Sequence, residues 1–129
     1  MLLAAADRSD PDHTACRELL EAHPGPLVTT ELVLAESGWL IDRQLGAAAE
    51  AALYESAAAG EIRVEPLSAA DWTRIAALTV QYADQHLGGV DSSLVAIAER
   101  FGATSIGTLD RRHFGLVRPL HIAGFELLP

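Results

Sequence analysis

Apolar positions along this chain fall into alternating helical and extended patterns. Leu2 to Ala6 has helical spacing but no capping residue ahead of it, and Asp10-Pro11 is a start signal for a helix running to about Ala22, with Asp as cap and Pro at the first helical position. Leu27, Val28 and Thr29 follow Pro-Gly-Pro as a short strand. Thr30 is placed to cap a helix over Glu31 to Arg43, and a second, Ala-rich helix is predicted from Gly46 to Ala59, ended by Gly60. IRVEPL from Ile62 alternates as a strand does. Ser68 and Asp71 have capping-box spacing for a helix to about Gln85, and Gly88-Gly89 reads as a turn. Asp91 then opens a helix to Phe101, closed by Gly102. Thr104 to Leu109 is the next strand, Arg111 to Phe114 a helical turn, and His121 to Leu127 a last strand.

Such alternation predicts an α/β fold: a mostly parallel sheet flanked by helices on both faces, with sites at the carboxyl ends of its strands. At 129 residues and 50% hydrophobic, one domain spanning 1–129 is expected. The lone Cys16 excludes an internal disulfide framework and reads as a packed side chain, so a cytoplasmic location is the default. The apolar start lacks the basic residues and length of a signal peptide, and charges interrupt every later apolar segment, so no membrane span is expected. A net charge of −9 argues against gripping nucleic acid by bulk charge. It is compatible with RNA cleavage if metal ions carry the positive charge, and with a basic protein partner.

Three acids carry the chemistry. Glu36 has Leu32, Val33, Trp39 and Leu40 at i−4, i−3, i+3 and i+4, which puts it on the apolar side of its helix. A carboxylate buried there requires pairing, protonation or a cation, whereas a solvated surface Glu is the plainer alternative. Asp91 stands at a helix start, where capping alone would account for it. Asp110 ends the SIGTL strand and precedes RRHF, where it too could simply cap. Jointly, all three fall toward the same edge of a parallel sheet. Clustered carboxylates need a cation to relieve their repulsion, and a few carboxylates plus water suit Mg2+. His13, His23, His86 and His121 lack metal-ligand spacing, and there is no Gly-rich phosphate loop or Ser-His-Asp context.

The segments TTELVLAESGWLI, YADQHLGGVDSSLVAIAERFG and IGTLDRRHF resemble the second, third and fourth acidic motifs of VapC-type PIN-domain ribonucleases, the toxins of type II toxin–antitoxin pairs. LLAAADRSDPDHTAC extends the resemblance to essentially the whole chain, and the segment from Gly89 to Phe114 is its most specific part. The resemblance implies that Glu36, Asp91 and Asp110 are catalytic and hold Mg2+, with Mn2+ as the other candidate ion, to activate a water against an RNA phosphodiester. It also implies a VapB-like antitoxin partner and a homodimer. Thr108 falls near the metal in the family pattern, and Asp84 matches a frequent position whose role would be indirect. Arg111, Arg112 and His113 could approach RNA phosphates or be solvated.

One departure concerns the start. The family's first strand, which ends in its first acid, belongs immediately before the LLAAAD helix, where this chain begins at Met1. The chain is therefore expected to be N-terminally truncated, with a coding start further upstream as the simplest account. Loss of that middle strand would leave two half-sheets. Asp7, Asp10 and Asp12 follow the first helix and are read as a solvated loop rather than as substitutes. The alternative reading is a catalytically inactive PIN-like module that binds an antitoxin or another protein.

Overall fold

The computed structural model describes all residues from Met1 to Pro129. Its elements follow the apolar periodicity, with most boundaries within a few residues of expectation. The helices are α1 (Leu2–Ala6), α2 (His13–Ala22), α3 (Glu31–Leu45), α4 (Ala47–Ala58), α5 (Ala69–Gln81), α6 (Gly89–Phe101) and α7 (Arg111–Leu116). The strands are β1 (Val28–Thr30), β2 (Arg63–Glu65), β3 (Ser105–Gly107) and β4 (Glu126–Leu128).

Two helix starts and one helix end differ from the sequence pattern, each for a local reason. Helix α2 begins at His13 with Asp12 as its cap. Asp10 instead turns its Oδ1 back to accept the Asp12 N–H at 2.8 Å, which keeps Asp10-Pro11 in a turn. Helix α6 begins at Gly89, two residues ahead of Asp91, because Gly88 takes the extended cap conformation. Helix α5 stops at Gln81, and a 3-10 turn over Ala83–Gln85 follows, ending on His86 in the left-handed region at φ 59°. Other signals act as expected. Thr30 caps α3 by accepting the Val33 N–H at 3.2 Å, and Ser68 and Asp71 form a reciprocal capping box on α5. Gly102, at φ +66°, closes α6.

The structure keeps the parallel sense expected from the alternation, in two strand pairs, the half-sheets expected of a chain without the family's middle strand: β1 with β2, registering Thr29 opposite Val64, and β3 with β4, registering Ile106 opposite Leu127. No strand hydrogen-bonds to both pairs. The chain correspondingly divides into two compact units, Met1–Glu65 with Pro129, and Pro66–Leu128.

In the first unit, β1 and β2 are joined by the α3 and α4 hairpin. Gly38 of α3 lies so close to Tyr54 of α4 that a Cβ there would stand 2.2 Å from the Tyr54 Oη, so only glycine permits this approach. The buried apolar side chains of this unit are Ala4, Cys16, Ile41 and Leu53. The loop after α1 is not solvated at Asp7, contrary to the sequence reading. Asp7 is 6% exposed, accepts hydrogen bonds from the Ser9 N–H and Oγ and from Gln44 Nε2, and so ties α1 to α3. Those donors hold its carboxyl below the usual range, the Ser9 hydroxyl contributing most.

The second unit packs around one contiguous apolar cluster of Leu78, Leu87, Val95, Ile106, Phe114 and Val117. Ser92 and Ser93 are fully buried on α6, the Ser93 hydroxyl donating to the Val90 carbonyl at 2.6 Å. Phe101, at the end of α6, is 48% exposed with the Arg100 guanidinium over its ring. Arg74 grips Glu99 through two 2.8 Å hydrogen bonds, joining α5 to α6. No helix is long and apolar enough to cross a membrane.

Candidate metal centre

Asp91 and Asp110 reach one site by different routes. Asp91 lies in the first turn of α6, where the unpaired N–H groups of the helix end favour a carboxylate. Four residues on, Val95 is fully buried in the core cluster and fixes that end of the helix. Asp110 follows β3 and caps α7, its Oδ1 accepting the His113 N–H at 2.8 Å. Its own N–H donates to the Thr108 Oγ1 at 3.0 Å, and Thr108 is buried. One turn further, Phe114 is 2% exposed in the same cluster. Capping is thus only part of the role of Asp110, because Oδ1 is used for it and Oδ2 is left facing the site.

The third member is His113. Its Nδ1 lies 2.9 Å from the Asp110 Oδ2 and 3.5 Å from the Asp91 Oδ2. One donor atom from each of the three residues falls within 4.8 Å of the others. Nδ1 is shielded from solvent and makes no hydrogen bond, while both Oδ2 atoms stand within ion-pairing distance of it. Two carboxylate oxygens and one imidazole nitrogen, aimed at each other without a satisfied hydrogen bond at the nitrogen, fit a small divalent cation. The family pattern drew attention to the acids and left His113 among the basic residues. The signal that finds it is spacing: His113 is three residues after Asp110, on the same face of a helical turn.

Glu36 belongs to the first unit, on α3. The apolar neighbours counted from its spacing are there, but that face is open: Glu36 is exposed, Trp39 is 55% exposed and carries the Arg43 guanidinium 4.8 Å from its ring centre. The buried stripe of α3 runs instead through Gly38 and Ile41, toward α4. Of the two readings open for Glu36, a buried carboxylate or a solvated one, the structure has the solvated one. Asp84 is exposed on the 3-10 turn, and Arg111 and Arg112 are exposed beside Asp110. His13 and His121 serve backbone carbonyls, of Ala4 at 3.0 Å and Ala103 at 2.7 Å respectively.

A parallel α/β arrangement with two acids at helix starts, one of them in the short turn between β3 and α7, defines a class of acidic-site proteins, and comparison with known proteins specifies it. The PIN domain model matches residues 1–118. Ribonuclease VapC26 of Mycobacterium tuberculosis is 34% identical over 128 residues, covering 99% of this chain and 95% of that protein. The crystal structure of Mycobacterium tuberculosis VapC20, a sarcin-ricin loop-cleaving toxin, matches with a TM-score of 0.81 at 20% identity, over 94% of this chain and 92% of that one. The chain belongs to the PIN-domain family, and within it to the VapC type.

Proposed function

We propose that this chain is the toxin of a toxin–antitoxin pair and an endoribonuclease that hydrolyses RNA phosphodiester bonds with a divalent cation held by Asp91 and Asp110. The observation that carries the reading is the convergence of these two carboxylates, each one turn ahead of a buried core residue, in a VapC-type PIN chain. Asp91 and Asp110 would hold Mg2+ or Mn2+, and the ion so held would lower the pKa of a bound water and offset charge on the scissile phosphate. Asp91 contributes a carboxylate stabilised by the start of α6, and Asp110 one whose direction is set by its hydrogen bonds to Thr108 and His113. Arg111 and Arg112 are exposed next to Asp110 and suit RNA phosphates, giving a chain of net charge −9 a local basic contact. Glu36 enters through the motif it matches, as a further acid in the same catalysis.

A VapB-like antitoxin is the proposed protein partner, and the acidic net charge suits a basic one. A homodimer acting in the cytoplasm completes the reading. The test is cleavage of a mixed RNA pool by the purified chain with Mg2+, Mn2+ or a chelator. Divalent-dependent cleavage is expected, reduced at least ~100-fold in Asp91→Asn and Asp110→Asn, while the folded far-ultraviolet spectrum is retained. Cleavage that persists at the full rate in chelator or in both variants would sink the assignment.

A further inference from the structure

We infer that His113 is itself a ligand of the divalent ion, through Nδ1, giving an Asp-Asp-His donor set that favours Mn2+ over Mg2+. The inference rests on the metal-dependent reading above and concerns a residue that the acidic motifs do not assign. Three observations carry it. Nδ1 is shielded from water and has no hydrogen bond, so the polar groups this buried nitrogen faces are the two carboxylate oxygens of the site. It lies 2.9 and 3.5 Å from the two Oδ2 atoms. Neighbouring ligands of one ion with bonds of about 2.1 Å stand about 3.0 Å apart at right angles and about 3.4 Å apart in a tetrahedron, so these spacings match ligands sharing an ion. Finally, the ring is held in place from both sides: its backbone N–H donates to Asp110 Oδ1 at 2.8 Å, and the next residue, Phe114, is locked in the core.

The choice of ion follows from the donor chemistry. Carboxylate and water ligands suit Mg2+ and Mn2+ alike, whereas an imidazole nitrogen is a poorer partner for Mg2+ than for Mn2+, a first-row transition ion that accepts nitrogen ligands more readily. A neutral ring bound through Nδ1 carries its proton on Nε2. Helix α7 is only a turn and a half long, so the side chain at i+3 from Asp110 has little freedom to leave the site while Asp110 caps the helix.

Pulsed electron paramagnetic resonance of the chain loaded with Mn2+ tests this directly, with no substitution needed. The expected spectrum shows modulation from one directly coordinated nitrogen, absent in His113→Gln. Titration calorimetry with Mn2+ and Mg2+ should show the Mn2+ preference falling about tenfold in the same variant. Mn2+ bound with no nitrogen coupling, and lost in Asp91→Asn and Asp110→Asn, would overturn the role of His113 and leave the carboxylate site intact. Absence of Mn2+ binding altogether would overturn both.

Discussion

The two units of this chain use their apolar residues differently. The second gathers Leu78, Val95, Ile106, Phe114 and Val117 into one contiguous buried cluster. In the first, Ile41 is the large apolar side chain that is fully buried, while Trp39, Leu40, Leu45 and Tyr54 are exposed on α3 and α4. Buried polar groups take up much of its interior: Asp7, Thr29, Thr30 and Glu65 are each less than 9% exposed. The difference bears on function, because a site is only as well placed as the elements beneath it. Asp91 and Asp110 each stand four residues before a core side chain, Val95 and Phe114, so the core sets where both carboxylates point. The residue four after Glu36 is Leu40, 38% exposed, and gives no comparable anchor within its unit.

The largest expected effect follows from that contrast. Phe114→Ala removes the largest fully buried side chain and should lower unfolding stability by about 3–5 kcal/mol in urea denaturation. It should also weaken Mn2+ binding, because α7 carries both Asp110 and His113. Leu40→Ala, on the open face of the first unit, should change stability by less than about 0.5 kcal/mol. Equal losses in the two variants would mean that the exposed face of α3 is packed in solution, and the comparison would have to be redrawn.

Each unit also carries one carboxylate held below its ordinary range, by different means. Burial pushes Glu99 up, but the Arg74 guanidinium and the Leu120 N–H outweigh it. Asp7 is held down by neutral donors, Ser9 first and Gln44 next. For a depressed carboxyl, the stabilisation is complete above the unfolded value and is lost as pH falls through the folded one. Glu99 therefore contributes fully above about pH 4.5, and its share disappears as the solution is acidified below that. Arg74→Met should destabilise the chain at pH 7 by about 2 kcal/mol, since Glu99 is left only 10% exposed without its cation. The gap between wild type and variant should close on acidification as Glu99 is protonated. Urea midpoints measured from pH 7 to pH 3 check this, and a gap that widens toward acid would reverse the sign and refute the pairing argument.

The sequence showed the local parts of this structure and missed what depends on partners distant in the chain. Element order, the Thr30 cap, the Ser68 capping box and the Gly102 stop are written in neighbouring residues, and all appear. Which strands pair, β1 with β2 and β3 with β4, depends on hydrogen bonds between segments far apart in the chain, which periodicity does not encode, and the division into two half-sheets was expected only from the resemblance. The same limit explains Glu36. Spacing identified its apolar neighbours correctly but could not say whether that face is covered, and the buried stripe of α3 runs through Gly38 and Ile41 instead. At the candidate site, two acids were legible from motif and position. His113 was not, because an imidazole beside two arginines looks like part of a basic surface until Asp110 caps α7 and brings Nδ1 to its free oxygen.

The smallest expected effect compares the two capped helices. Ser68 is exposed, and its hydroxyl accepts the Asp71 N–H at 3.2 Å while Asp71 Oδ2 accepts the Ser68 N–H at 2.8 Å. Ser68→Ala removes both bonds of that hydroxyl, the one it accepts from the Asp71 N–H and the 2.7 Å one it donates to Asp71 Oδ2, but Asp71 keeps the Ser68 N–H and the Arg100 guanidinium 3.2 Å away. The cost should be about 1 kcal/mol. Thr30 makes the equivalent bond to the Val33 N–H at 3.2 Å but is fully buried, so Thr30→Ala also leaves a small void that water does not fill. Its cost should be about 2 kcal/mol, at the upper end for a cap. Thr30→Ser keeps the hydroxyl, loses only the methyl group and should recover about half of the loss. If the two alanine variants are equal by urea denaturation, then burial adds nothing to the cap, and the polar interior of the first unit is more accessible to water than its packing indicates.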